Sequence, residues 1–306
     1  MLIFILKRIA WAIPVLWVVA TVTFMLARIV PGGPFDAEKN LPPEIVANIK
    51  AKYHLDKPPL EQYGLYMGRL LRGDLGVSYK YVNRTVNDIL IDAMPVSMQL
   101  GTMGLLFAIV LGVPLGTIAA VRRGAPIDYG AMTLATIGIS VPSFVTGAAL
   151  ILVFGLWLKI LPVGLWESFR HMFLPALTLS LSPAAYLARL TRASVLEVLE
   201  KDWVRTARTK GLSPTQTILK HVLRNALVPV VTVIGPLTAI LITGSFVVEF
   251  IYAIPGMGRF FITAVQNRDY DLIMATTLVF AVFLIIANTI VDIVYTYLDP
   301  RIKVHS

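Results

Sequence analysis

The chain contains no cysteine and only four histidines. Without thiolates there is no disulfide framework, no cysteine nucleophile and no cysteine-ligated zinc or iron–sulfur site. His54, His171, His221 and His305 are too scattered to form a histidine-held metal centre, so no metal is expected. Charge is scarce as well. Only 15% of residues are charged while 57% are apolar, and the mean hydropathy of +0.75 is far from that of a soluble domain. No G-x-x-x-x-G-K-[ST] stretch occurs, so the chain has no phosphate-cradling loop and no cofactor of its own. Gly138-Ile139-Ser140 and Gly244-Ser245 lack a full nucleophile elbow, and no histidine lies inside an apolar run to serve as base. No catalytic residue is expected, and the chain is not read as an enzyme. A proton-coupled carrier needs carboxylates or histidines in mid-membrane. Asp128, Glu249, Asp271 and Asp292 all fall near the ends of apolar runs, where interfacial or capping roles are expected.

What is present is a series of apolar runs. The first, 9–27, follows Lys7 and Arg8, lacks a small-x-small cleavage site, and is read as an uncleaved membrane helix kinked at Pro14. Further runs cover 96–121, 128–158 with Pro142-Ser143 inside it, 173–193, 226–250 with weak points at Gly235-Pro236 and Gly244-Ser245, and 272–298. The fold class is therefore an all-α polytopic membrane protein of six transmembrane helices. Between the first two runs, basic and acidic residues balance, and apolar stripes predict short amphipathic helices over 43–53 and 60–71. The expected division is 1–30, cytoplasmic start and first span; 31–95, a small external cap; and 96–306, a five-helix core. Lys7, Arg8, Arg122, Arg123, the basic cluster from Arg189 to Arg224, Arg301 and Lys303 place both termini in the cytoplasm of a cell with this chain in its inner membrane.

The longest basic passage between apolar runs is 202–229. Its first half carries Trp203, Val204 and Ala207 at helical spacing and stops at Gly211, the residue suited to a left-handed C′ position. Ser213, Pro214 and Gln216 then form a Ser-x-x-Gln capping box with proline in the first turn, so a second helix starts at once. A basic helix-turn-helix can bind DNA. Here the flanking membrane runs explain the charge as cytoplasmic retention, and no nucleic acid partner is expected.

Arg-Thr-Ala-Arg-x-Lys-Gly-Leu at 205–212, followed by His221, Asn225, Ala226, Leu227 and Pro229, resembles the coupling loop of membrane subunits of ATP-binding-cassette importers, specifically the peptide and nickel branch. Arg205 departs from the glutamate of the general importer pattern. Pro-Gly-Gly-Pro at 31–34, Gly-Asp-Leu-Gly-x-Ser at 73–78, the passage from Gly244-Ser245 to Gly258, Asn-Arg-Asp-Tyr at 267–270 and Asp-Pro-Arg at 299–301 extend the likeness over nearly the whole chain, which looks most like B-type oligopeptide permeases.

The resemblance implies a permease subunit forming half of a pore with a homologous second permease as a heterodimer in the lipid bilayer. It also implies two ATPase subunits that carry the ATP and Mg, and an external peptide-binding protein. It places Arg205, Thr206, Ala207, Lys210, Gly211 and Leu212, within a coupling loop at 196–225, against the ATPases. It also points to a turn with an apolar tip, Pro255, Gly256, Met257, Gly258 and Phe260, facing the binding protein. Pro142, Ser143, Gly235, Pro236, Gly244 and Ser245 are pore-side candidates, although small residues also mark plain helix packing. Dipeptide or nickel cargo is the alternative to oligopeptide. An ATP-independent channel or carrier is a further alternative, which has no need of a capped two-helix cytoplasmic loop.

Overall fold

The computed structural model describes residues 2–29, 32–35, 42–81, 83–242 and 244–298. Pro31, Arg301, Lys303 and the rest of Asp-Pro-Arg at 299–301 lie outside them. Among the described residues the chain is helical, apart from a single antiparallel bridge between Val77 and Thr85. By its contacts it divides into two compact units, Met1–Val96 with Pro255–Ile285, and Ser97–Ile254 with Ile286–Ser306.

The first unit begins with α1, Leu2–Ile29, which runs unbroken through Pro14. The amphipathic stripes form α2, Pro43–Lys52, and α3, Pro59–Leu70, each with proline in its first turn. Tyr66 of α3 buries against Ala20 and Phe24 of α1 and against Met274 and Leu278, flanked by the expected Tyr63, Met67 and Leu70. The next helix, α4, covers Val86–Val121, ten residues more than the apolar run predicts. Its start is fixed by a reciprocal cap. The Asp88 N–H donates to Thr85 Oγ1 at 3.1 Å, and the Thr85 N–H donates to the Asp88 carboxylate at 3.1 Å.

In the second unit α5, Pro126–Ser140, is followed by α6, Ser143–Trp157, whose second half, Ile151–Trp157, is π-helical. This apolar run is not one kinked span. The two helices meet at 110°. Pro142 has no N–H and drives Val141 into an extended conformation (φ −84°, ψ 124°), which ends α5 outright. The Pro142 carbonyl opens α6, accepting from the Val145 and Thr146 N–H groups and the Thr146 hydroxyl.

The long α7, Phe169–Leu199, passes through Pro175 and Pro183 without a break and buries Leu174, Thr178, Ser180, Leu187 and Thr191 among others. Its polar residues are affordable because protein, not lipid, covers much of its surface. After α8, Asp202–Thr209, and α9, Pro214–Ala226, comes α10, Val228–Ile242, meeting α9 at 54°. The expected weak point at Gly235-Pro236 lies inside α10, which continues through Pro236. The chain turns at Gly244, with φ +92°, before α11, Phe246–Ile251. Then α12, Met257–Asn267, and α13, Tyr270–Leu298, complete the chain.

Leu6–Ile29, Val86–Val121 and Tyr270–Ile290 are each long and apolar enough to cross a bilayer, and the pairs α5–α6 and α9–α10 qualify when each is taken as one bent passage. The 31-residue α7 matches them in length but is not among the helices apolar enough to qualify.

Close helix approach rests on glycine. A Cβ on Gly101 would stand 2.1 Å from the Leu241 carbonyl oxygen, and one on Gly112 or Gly116 would stand 2.5 or 2.2 Å from the Ala184 or Ala188 carbonyl oxygen. Gly112 and Gly116 have the small-xxx-small spacing that lets α4 and α7 meet backbone to backbone.

Candidate functional site

The passage at 202–229 folds as its residues dictate. Val204 is fully buried and Trp203 is half exposed, so α8 rests on one apolar edge. Gly211 takes φ +84° with no other atom within 4 Å of where a Cβ would sit. Ser213 closes the capping box: its hydroxyl accepts from the Gln216 N–H at 3.3 Å, and the Gln216 side chain accepts from the Ser213 N–H at 3.4 Å. Thr217–Val222 is then π-helical. The inner face of this hairpin, Val204, Val222 and Ala226, packs on Ala120 of α4 and Val195 of α7. The outer face leaves Arg205, Thr206, Lys210 and Gly211 exposed, with Ala207 and Leu212 half-buried. What results is a capped knuckle with positive charge on its free side and two helix ends beneath it.

Close to its base, Arg192 of α7 donates from Nε and Nη2 to the Asp128 carboxylate of α5 at 2.6 and 2.8 Å. Asp128 also accepts from the Gly124 N–H at 3.0 Å, in the turn before α5, and is almost fully buried. Glu249 differs from the interfacial role expected of it. It is fully buried in α11, and its Oε1 stands 2.6 Å from where a Gly244 Cβ would be, beside Ser97. Tyr252 is a further buried tie. Its hydroxyl shares a 2.8 Å hydrogen bond with Thr178 of α7 and donates to the Gly147 carbonyl of α6 at 3.2 Å.

Of the pore-side candidates, Pro142 and Ser143 mark the α5–α6 break and Gly244 and Ser245 mark the α10–α11 turn, where the Ser245 hydroxyl caps Val248. Gly235 and Pro236 mark no break. The passage 255–260 is not a turn with an apolar tip. Gly256, Met257 and Gly258 are buried and Phe260 is half-buried, because this stretch opens α12 and packs on Val86, Ile89 and Leu90 of α4; only Pro255 of the five is exposed.

Three motif segments that lie far apart in sequence converge in the first unit. The Ser78 hydroxyl donates to Asp269 at 2.5 Å, and the Tyr79 N–H donates to the same carboxylate at 3.1 Å. Arg268, in a left-handed conformation, packs on Gly32, whose carbonyl accepts from the Tyr270 hydroxyl at 3.4 Å. Burial pushes the Asp269 carboxyl up from the ordinary carboxylate range, although its hydrogen bonds from Ser78, Leu272 and Tyr79 pull the other way. Asp271, two residues on, pairs with Arg69 of α3 at 3.1 Å.

Residues 112–304 match the family described as binding-protein-dependent transport system inner membrane component, and residues 1–101 match its N-terminal region. The chain belongs to this family. It is 47% identical to the dipeptide transport system permease protein DppB of Bacillus subtilis over 94% of each chain. It is 44% identical to the oligopeptide transport system permease protein OppB of Escherichia coli K12 over 99% of this chain and all of the other. Two solved structures share the fold. An amino acid ABC transporter aligns with TM-score 0.53 at 14% identity, over 68% of this chain and 92% of that one. The MetNI methionine ABC transporter aligns with TM-score 0.51 at 18% identity, over 67% and 96%. As an inner membrane component of a binding-protein-dependent system, the chain is a multi-pass permease subunit that works with ATPases and a binding protein. Hydrolysis of ATP is the partners' task.

Proposed function

We propose that the chain is the permease subunit of an ATP-driven peptide importer, forming half of the translocation pore with a homologous second permease above two ATPase subunits. The observation that carries the cargo is end-to-end similarity to permeases named for dipeptide and oligopeptide transport. In this reading both termini are cytoplasmic, 31–95 is an external cap and 96–306 is the permease core.

The coupling step is assigned to the exposed side of the knuckle. Arg205, Thr206, Ala207, Lys210, Gly211 and Leu212 seat in the ATPase groove. Closure of the ATPases on ATP moves α8 and α9 as one body, since their inner faces share a single apolar cluster with α4 and α7. Because α9 runs into α10 with only Leu227 between them, that motion reaches the pore wall near Gly235 and Pro236 and, beyond it, Gly244 and Ser245. Pro142 and Ser143 line the opposite break. Contact with the binding protein is made through Pro255 and the exposed Val265–Asn267 end of α12.

The test is uptake in a strain whose own peptide permease is deleted. This chain, expressed with its partner subunits, is expected to restore entry of labelled dipeptide and tripeptide. Restored nickel entry without peptide entry would overturn the cargo assignment.

A further inference from the structure

In the first unit, Gly32 and Arg268, from two motif segments that have no part in the coupling knuckle, meet at the lip of an open groove. The groove, of about 380 Å³, lies between α1, α12 and α13. Leu26 and Ala27 of α1, Phe261 of α12 and Ile273 of α13 make its walls almost wholly apolar. From Tyr270 to Thr277 it follows two turns of α13, about 10 Å. Benzene fits a cavity of about 150 Å³, so this groove has room for an aliphatic chain of roughly a dozen carbons. Two of its three helices, α1 and α13, are among those long and apolar enough to cross a bilayer.

Arg268 ends α12 at φ +55°, in the left-handed region where glycine or asparagine is the usual occupant and any other side chain is strained. Gly32, itself at φ +95°, makes room for it. A Cβ there would overlap Nη1, so the guanidinium lies directly on the glycine backbone. The neighbouring acids are already bonded, Asp269 to the Ser78 hydroxyl and the Tyr79 N–H, and Asp271 to Arg69. Among the described residues the Arg268 guanidinium makes no hydrogen bond and no ion pair. Its five N–H donors, in a planar fork, therefore stand ready at one end of an apolar trough. Strained residues held in place in this way cluster at ligand sites.

We propose that this groove holds a single phospholipid, with one acyl chain lying along α13 between α1 and α12 and the phosphate accepting from the Arg268 guanidinium. The layout is that of an amphiphile: apolar along its length, with one cation at one end. Forked guanidinium donors suit a phosphate bidentately. An apolar helix of another subunit would fill the trough but leave those donors unpaired at its rim, which is costly once water is excluded. Arg268 also sits where α12 ends and α13 begins, at the end of a membrane-crossing helix, which is the depth of lipid headgroups. The inference rests on α1 and α13 crossing the membrane and holds whichever cargo the importer moves.

The experiment is native mass spectrometry of the transporter assembled with its partner subunits, stripped of lipid in detergent and titrated with dioleoylphosphatidylglycerol. A tight site is expected to fill before the weaker ones. Dioleoylglycerol, which has the same chains and no phosphate, should bind there about tenfold or more weaker because the charge-assisted bonds are lost, and inorganic phosphate should not compete. Arg268→Gln is expected to weaken that site about tenfold or more, and Ala27→Phe, which fills the groove from α1, to remove it with Arg268 intact. Lys159→Gln, which removes an exposed cation elsewhere, should leave it unchanged. A photo-crosslinking benzophenone side chain at the exposed Leu26 should capture phospholipid in nanodiscs, and less of it when combined with Arg268→Gln. No tight site, equal binding of dioleoylglycerol, displacement by inorganic phosphate, equal losses in Lys159→Gln and Arg268→Gln, or capture of the second permease in place of lipid would each overturn the proposal. Should Arg268→Gln fail to assemble, Ala27→Phe and the crosslink from Leu26 decide. Peptide uptake tests the importer reading and lipid retention tests this one, so either can fail alone.

Discussion

Gly211 is the residue on which the α8–α9 knuckle turns, and its surroundings separate two kinds of damage. Nothing within the chain obstructs a side chain there, so Gly211→Asp pays only for the left-handed backbone, about 1–2 kcal/mol. That cost leaves the fold intact. A carboxylate pressed into a partner's groove must also lose its water, which costs several kcal/mol more unless it finds a cation. The expected outcome is a normal membrane level with reduced co-purification of the ATPases and lost uptake; wild-type uptake with full ATPase retention would show that Gly211 only ends a helix. Gly116 presents the reverse case. Its Cβ would meet the Ala188 carbonyl at 2.2 Å, and backbone cannot step aside as a side chain can. Gly116→Ala should therefore cost about 1–3 kcal/mol of overpacking, seen as a lower unfolding midpoint in detergent while the ATPases still bind the folded fraction. An unchanged midpoint would mean that α4 and α7 part without cost.

At the scale of elements, local signals were the legible ones. Gly211 and the Ser213–Gln216 box act within four residues, so their geometry could be read from the sequence and appears as read. The same kind of signal, Thr85-x-x-Asp88, stands at the start of α4, but Pro95 reads as a boundary in sequence although the helix runs through it. Pro142 told where the third apolar run breaks but not that its halves meet at 110°, since the angle depends on packing against α7 and α11. The apolar residues of 255–260 suggested a tip because their covering partners, Val86, Ile89 and Leu90, lie far off in sequence. Glu249 and the meeting of Ser78 with Asp269 were unreadable for the same reason. The capping box itself can be weighed. Ser213→Ala should cost about 1 kcal/mol of local helix stability. Faster amide exchange across 214–222 with only a partial fall in uptake is expected, and exchange rates equal to wild type would show that the π-helical stretch, not the cap, holds this end of α9.

For the whole molecule, the distribution of charge predicts the orientation. Reporter fusions after Arg123 and at Ser213 should report the cytoplasm, and a fusion at the exposed Leu71 beyond α3 should report the outside. A cytoplasmic signal from Leu71 would overturn the six-span topology. Apolar runs and basic residues are the sequence signals at this level, whereas the grouping of 255–285 with the first 96 residues required the fold, because no local pattern ties α12 to the start of α4.

α9 is joined to α10 at a 54° bend with only Leu227 between them, so the direction each face points depends on helical phase. Each residue in a helix turns the chain by about 100° and advances it about 1.5 Å. One residue added between Ser213 and Leu227 would barely lengthen the segment, yet it would point Arg205 and Lys210 a quarter-turn or more away from where they now face. The length of this segment is thus held by direction and not by reach: single insertions near Lys220 should abolish ATPase docking, and inserting a whole turn should restore more of it than inserting half a turn.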